Sequence, residues 1–406
     1  MPNVILFDNE VRDQLLPFTW LKPMGELRVG ILTIREKWER MLGYPVSFLT
    51  QEYLSGKYAT TYSEVNILIN GSVMPTPELV GLIRQMTMNE ALLLGDELIA
   101  AMLSGEQVAS MVKDEDFGEL RVFPVEEKIL LKLSKAYDIF RLNDRALELD
   151  FALLTHNRVS APLSATNRVV GPADRVFLEE GARVECSVLN TERGPVYIGK
   201  DSLVMEGCLI RGGFAMGEHS VLKMGAKIYG ATTLGPYCKV GGEVNNVVFQ
   251  GYSNKGHEGY LGNSVIGEWC NIGADTNASN LKNTYDEVRV WNYAEQRFSP
   301  SGLQFCGLLM GDHSKCGINT MFNTGTVVGV SANIFGAGFP RQFIPSFSWG
   351  GAQGISTFQV EKAMDAINRV MERRNLALSV QERLILLHVF EESAQYRPWD
   401  KKKSAS

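Results

Sequence analysis

The chain is poor in cysteine and histidine: six of the first and five of the second in 406 residues. Cys186, Cys208, Cys238, Cys270, Cys306 and Cys316 form no C-x-x-C pair, and no His stands at zinc-ligand spacing. Neither a disulfide framework nor a structural metal is indicated. No stretch is apolar for long enough to cross a bilayer, so no membrane span is predicted. The opening Met-Pro-Asn-Val-Ile-Leu-Phe-Asp lacks the basic start and long apolar run of a secretory signal, and the expectation is a cytoplasmic protein. Lys and Arg (40) are fewer than Asp and Glu (46), leaving a net charge of −6. That balance argues against nucleic-acid binding, which needs clustered cations to displace phosphate counterions. The one basic run, Lys401, Lys402 and Lys403, reads as a solvated tail.

Glycine is plentiful but uneven: of the 39, 30 lie between Gly171 and Gly354. A period of six runs through that region. Ile198, Val204, Ile210, Met216, Leu222, Ile228, Leu234 and Val240 are all apolar, and the register resumes at Ile266, Ile272, Cys316, Phe322, Val328 and Ile334. Four residues after the apolar position comes a small side chain, as at Ser202, Cys208, Ser220, Ala226, Cys238, Cys270 and Ala332. Two independent registers predict a triangular coil of short parallel strands, with the apolar residue inward and the small one at a tight corner. No amphipathic stretch there could supply the helical crossovers of an ordinary parallel sheet. The register lapses at 242–262 and 277–307, where loops are expected to leave the coil and carry chemistry.

Before the coil, Val4–Phe7 reads as a buried strand, 25–42 as a helix with Leu27, Ile31, Trp38 and Leu42 on one face, and Val65–Ile69 as a second strand. Thr76-Pro77 starts another helix. A small α/β domain with a mainly parallel sheet follows from this alternation. After the coil, Val360, Ala363, Met364, Ile367, Val370 and Met371 keep helical spacing, as do Leu384, Leu387 and Phe390. The predicted limits are 1–165 for the α/β domain, 171–354 for the coil and 357–406 for two helices and a tail.

The segment from Lys255 to Ala274, KGHEGYLGNSVIGEWCNIGA, resembles the acetyltransferase part of the bifunctional N-acetylglucosamine-1-phosphate uridyltransferase/glucosamine-1-phosphate acetyltransferase family, in a form closest to its Bacteroidetes-type relatives. Asn280-Leu281-Lys282 and the stretch from Gly311 to Asn319 are similar to archaeal sugar-1-phosphate nucleotidyltransferases carrying the same helix. The resemblance implies a left-handed parallel β-helix, assembly as a homotrimer and use of acetyl-CoA. It implies His257 as general base, Tyr260, Asn271, Asn280 and Lys282 as substrate contacts, and Ala274 as a backbone position near the thioester. His313 is placed either along the CoA cleft or in a structural role. The chemistry is coherent, since an imidazole can take the proton of an amine attacking a thioester near neutral pH.

The stretch from Leu15 to Pro23 resembles the nucleotidyltransferase half of that family, with Arg12 and Lys22 as phosphate contacts. Asp8-Asn9-Glu10 stands where that family has a glycine-rich phosphate loop, and Asn70-Gly71-Ser72 replaces its magnesium-binding Gly-Asp. Mg2+ is implied only if this nucleotidyltransferase-like domain is active. The leading reading is an acetyl-CoA-dependent N-acetyltransferase of a sugar 1-phosphate in amino-sugar nucleotide synthesis. The expected partner is a sugar phosphate or sugar nucleotide, and two alternatives stand beside this reading: a sugar-1-phosphate nucleotidyltransferase with an inactive β-helix, and a non-catalytic sugar-nucleotide-binding scaffold or regulatory subunit.

Overall fold

A computed structural model describes residues 2–114 and 119–401, so Lys402 and Lys403 of the basic run lie outside the described residues. The chain forms two compact units: Met1–Leu15, Lys22–Leu27 and Leu32–Lys135 in the first, Leu16–Leu21, Arg28–Ile31 and Ala136–Ser406 in the second.

In the first unit the strand Asn3–Phe7 is buried along its length. It pairs in parallel with Val46–Leu49 on one side and Asn66–Asn70 on the other. The sheet continues antiparallel through Glu97–Leu103 and Glu90–Leu94, and ends on Arg121–Pro124. It is therefore mixed, where the sequence predicts a mainly parallel one. The cause is a two-residue turn at Gly95-Asp96: Gly95 adopts φ +59° and closes a hairpin that reverses the chain. The helix predicted over 25–42 is Ile34–Leu42. Thr33 Oγ1 accepts from the Glu36 amide at 3.2 Å and Glu36 Oε2 from the Thr33 amide at 2.7 Å, a capping box that fixes its start after Leu27 and Ile31. Thr76 caps Pro77–Gln85 as the sequence indicates.

In the second unit short parallel strands form a β-solenoid of about ten turns, with helices after it. A regular coil takes eighteen residues, so Ile198 pairs with Met216 and Met216 with Leu234. The apolar register points inward as predicted: Ile198, Val204, Met216, Leu222, Leu234 and Val240 are fully buried. The small register is buried too, and it links coils: Ser220 Oγ accepts from the Cys238 amide at 3.1 Å and donates to the Gly235 carbonyl at 2.9 Å.

The expected exit at 242–262 does not occur. The chain stays in the coil, which tightens: Val240 pairs with Lys255 after fifteen residues and Asn254 with Asn271 after seventeen. Glu243–Gly251 merges two faces into one nine-residue strand, paired with both Lys227–Tyr229 and Thr232–Leu234, and Tyr260–Glu268 runs alongside it. Asn246 (φ +56°) and Asn263 (φ +45°) carry the bend, a conformation asparagine tolerates better than most side chains. The second exit is real. The chain leaves after Ala278, forms the antiparallel hairpin Arg289–Asn292 with Arg297–Pro300, and rejoins at Leu308.

The helix Val360–Glu372 buries Val360, Ala363, Met364, Ile367 and Met371, close to the predicted stripe. In Val380–Glu392 the buried residues are Ile385, Leu386 and Val389, whereas the predicted Leu384 is 60% exposed. Four consecutive apolar residues, Leu384 to Leu387, leave the helical phase open in sequence, and packing selects it. The helices Asp138–Arg141 and Asn143–Thr155 also belong to this unit. Buried Asn143 donates to the Ala231 carbonyl at 2.8 Å and accepts from the Gly30 amide at 2.7 Å.

Candidate functional sites

The tightened coil puts a lysine where the repeat calls for an apolar side chain. Lys255 stands in the inward column beside Val240 and is 1% exposed. Its Nζ donates to the carbonyls of Gly241 at 3.0 Å and His257 at 2.9 Å. Burial pushes this ammonium down to about 8, against the opposing pull of the Glu258 carboxylate. Those bonds hold the turn at 256–259, on which His257 and Glu258 are exposed. Lys227 Nζ, one strand away, lies 3.5 Å from the Glu258 carboxylate.

Tyr260 opens the next strand, half-buried. Its hydroxyl accepts from Asn280 Nδ2 at 3.0 Å, and the same amide donates to Asn263 Oδ1 at 2.7 Å. Asn263 in turn donates to Asn246 at 3.1 Å, with the Asn246 amide turned to donate to the carbonyls of Ala231 and Phe140. The fold thus brings Tyr260 and Asn280 together beside the His257 turn. Asn246 and Asn263 escaped the sequence reading. Their signal was there: Asn246, Asn263 and Asn280 recur every seventeen residues, the length of the tightened coil.

The other expected residues lie elsewhere. Asn271 is exposed on Asn271–Ile272, a strand of the ten-stranded sheet and so on a different face from Tyr260. Ala274 is half-buried, and its carbonyl accepts from the Asn319 amide at 2.8 Å. Lys282 Nζ donates to the Glu287 carbonyl at 2.6 Å within the excursion. His313 ends a column of rings at one corner, His219, Tyr237, Tyr252, Trp269 and His313, in which Tyr252 and Trp269 stack at 4.3 Å and Trp269 and His313 at 6.5 Å. It also lines a cavity of about 330 Å³ with Lys315, Trp349 and Lys362.

A larger cleft, about 860 Å³, opens on the face that carries Tyr260; Arg141, Arg193, Arg211, Lys227, Tyr229 and Asn263 are among its walls.

In the first unit, polar groups gather where Asn3–Phe7 and Asn66–Asn70 end. These parallel neighbours lie where the strand order reverses, and the carboxyl edge at such a point is a customary ligand crevice. Asp8 accepts from Thr50 Oγ1 at 2.6 Å and the Met24 amide at 2.9 Å; burial outweighs both bonds and pushes its carboxyl up to about 6. Asn70 Nδ2 donates to Glu97 Oε1 at 3.0 Å, and Lys132 pairs with the other oxygen. Glu97 is a carboxylate the sequence reading missed, because it arrives from the unforeseen hairpin. Buried Arg12 contacts Asp13 at 3.0 Å and bonds the Tyr53 hydroxyl, and Lys22 is buried. Among the described residues no group of three or more His, Cys, Asp or Glu could hold a metal ion, and Glu97 already holds Asn70 and Lys132.

Residues 4–159 match the model of the sugar nucleotidyl transferase family. A stretch of 100 residues is 37% identical to the bifunctional sugar-1-phosphate nucleotidylyltransferase/acetyltransferase of Sulfurisphaera tokodaii, covering 24% of each chain. A match of 73 residues is 38% identical to the bifunctional protein GlmU of Methanocaldococcus jannaschii, covering 18% of this chain and 17% of that one. The matches span a quarter or less of the length of these relatives. Arabidopsis UDP-N-acetylglucosamine acyltransferase, a solved structure, aligns at 16% identity and TM-score 0.26 over 55% of this chain and 86% of that one. Both curated relatives are similar to this chain, and the first is named as a transferase of two groups.

Proposed function

We propose that the solenoid is an acetyl-CoA-dependent N-acetyltransferase acting on an amino-sugar phosphate, joined to a nucleotidyltransferase-type domain. The observation that carries this reading is the chain of bonds from Tyr260 through Asn280 to Asn263, beside the exposed imidazole of His257 and a cleft walled by cations. The amine nitrogen attacks the thioester carbonyl, a C–N bond forms and the C–S bond breaks; His257 takes the amine proton, and the CoA thiolate leaves and is protonated. Tyr260 and Asn280 orient the sugar. Asn271, Ala274 and His313 act from another face, on acetyl-CoA or on the sugar of a neighbouring copy, which is why a homotrimer belongs to the reading; Lys282 approaches from the excursion. The test is release of free CoA thiol by the full chain with glucosamine 1-phosphate and acetyl-CoA, alongside light scattering for a trimer. No thiol release from any amino-sugar phosphate or from its nucleotide-linked form contradicts the reading.

A second activity is favoured by the strand-end cluster of Asp8, Asn70, Glu97, Arg12 and Lys22: binding of a sugar 1-phosphate or nucleotide in the first unit. With Asn70-Gly71-Ser72 and Asp8-Asn9-Glu10 in place of the resembled family's Gly-Asp and glycine-rich loop, metal-dependent nucleotidyl transfer there should be slow, below about 1 s⁻¹, the low end of ordinary enzyme turnover. Faster turnover contradicts this.

A further inference from the structure

The cleft on the Tyr260 face is larger and more cationic than a hexosamine phosphate requires. Its volume, about 860 Å³, lies toward the upper end of the roughly 300–1,000 Å³ that enclose drug-sized ligands. Four of its lining residues are cations, Arg141, Arg193, Arg211 and Lys227, against one acid, Asp144. The cations differ in how strongly they are already engaged. Arg141 is held by Asp138 at 2.9 Å, but Arg211 meets Glu192 only at 3.9 Å with both side chains more than half exposed, a pairing of little strength. Arg193 stands exposed on the same wall. Two guanidinium forks on neighbouring coils suit two adjoining phosphates better than one. At the rim Phe305 keeps 44% of its surface in solvent, a ring on which a base can stack.

The cleft is also continuous with the groups given to the acceptor sugar. Asn263 lines it and bonds Asn280, which bonds the Tyr260 hydroxyl. Lys227 lines it and reaches Glu258, the neighbour of His257.

We propose that this cleft receives the diphosphate and base of a nucleoside diphosphate sugar, with Arg193 and Arg211 on the diphosphate, Phe305 against the base, and the sugar running toward Tyr260. Resting on the acyl-transfer reading, this makes the acyl acceptor a nucleotide-linked amino sugar, so nucleotidyl transfer is the class of reaction that must come first. The amine attacks the thioester as described, and the diphosphate linkage stays intact.

Isothermal titration of the full chain with UDP, dTDP and ADP, and separately with glucosamine 1-phosphate, tests the site without acyl transfer. One diphosphate should bind at least about tenfold more tightly than glucosamine 1-phosphate. The double variant Arg193→Ala/Arg211→Ala should lose about 100-fold of that affinity, from two charge-assisted contacts, and Arg193→Lys/Arg211→Lys should fall between, keeping charge without the fork. Thermal melting checks that the variants fold. Three results overturn the proposal: no diphosphate binds, glucosamine 1-phosphate binds as tightly, or affinity is unchanged in the Ala variant, which assigns the nucleotide to another site. Arginine-dependent diphosphate binding without any CoA release removes the acyl-transfer reading and leaves the cleft as a nucleotide site.

Discussion

The ammonium of Lys255 lies 2.9 Å from the backbone carbonyl of His257, a buried cation fastening the turn that carries the exposed imidazole. Its folded value, about 8, is below the 10.5 of a free lysine, so the folded state releases the proton first as pH rises. Below pH 8 the ammonium is charged in both states and the full burial cost, about 3 kcal/mol, is present; it is relieved between about 8 and 10.5. Lys255→Met has no such relief. In urea unfolding, wild type should gain about 2 kcal/mol on the Met variant between pH 7 and about 9.5. A constant difference contradicts this assignment.

Asp8 has the opposite sign. Its folded value is raised from 3.8 to about 6, so the folded state holds the proton longer; the stability this gives is present below about pH 4 and lost as pH rises through 6. Because Asp8 is only half-buried as a residue, the loss is about 2 kcal/mol. Asp8→Asn should therefore become more stable relative to wild type between pH 4 and 7, measured by thermal unfolding. The opposite trend would show that Asp8 is held as a stabilised carboxylate.

The corner column depends on its widest ring. Trp269 is 8% exposed and stacks on Tyr252 at 4.3 Å, so Trp269→Ala should cost about 3–5 kcal/mol, read as a fall in the urea midpoint. A loss under about 1 kcal/mol would mean that the ring lies on the corner without supporting it.

The solenoid was legible because its rule is local: an inward apolar residue every six and a small one four later. Ile198 through Val240 obey it, and each lies where the period puts it. The tightened coil was not, since it breaks the period without leaving the fold. Lys255 in an apolar column reads as a loop residue until its two carbonyl partners are seen. Tyr260 and Asn280 were legible only through family resemblance; their contact across twenty residues needs the seventeen-residue coil. Glu97 depended on a hairpin signalled by Gly95-Asp96 and overlooked among alternating strands and helices. The packing of Asn143 against Ala231, eighty-eight residues away, has no counterpart in sequence pattern.

Release of CoA thiol by wild type and His257→Ala, with acetyl-CoA and either glucosamine 1-phosphate or its UDP-linked form as acceptor, tests the central claim most directly. Wild type should turn over at least one acceptor, and His257→Ala should lower kcat by about 10²–10⁴-fold, the range for a positioned base, with His257→Gln failing alike because it cannot take the proton. Near-wild-type kcat in both variants, or no release from either acceptor, contradicts it.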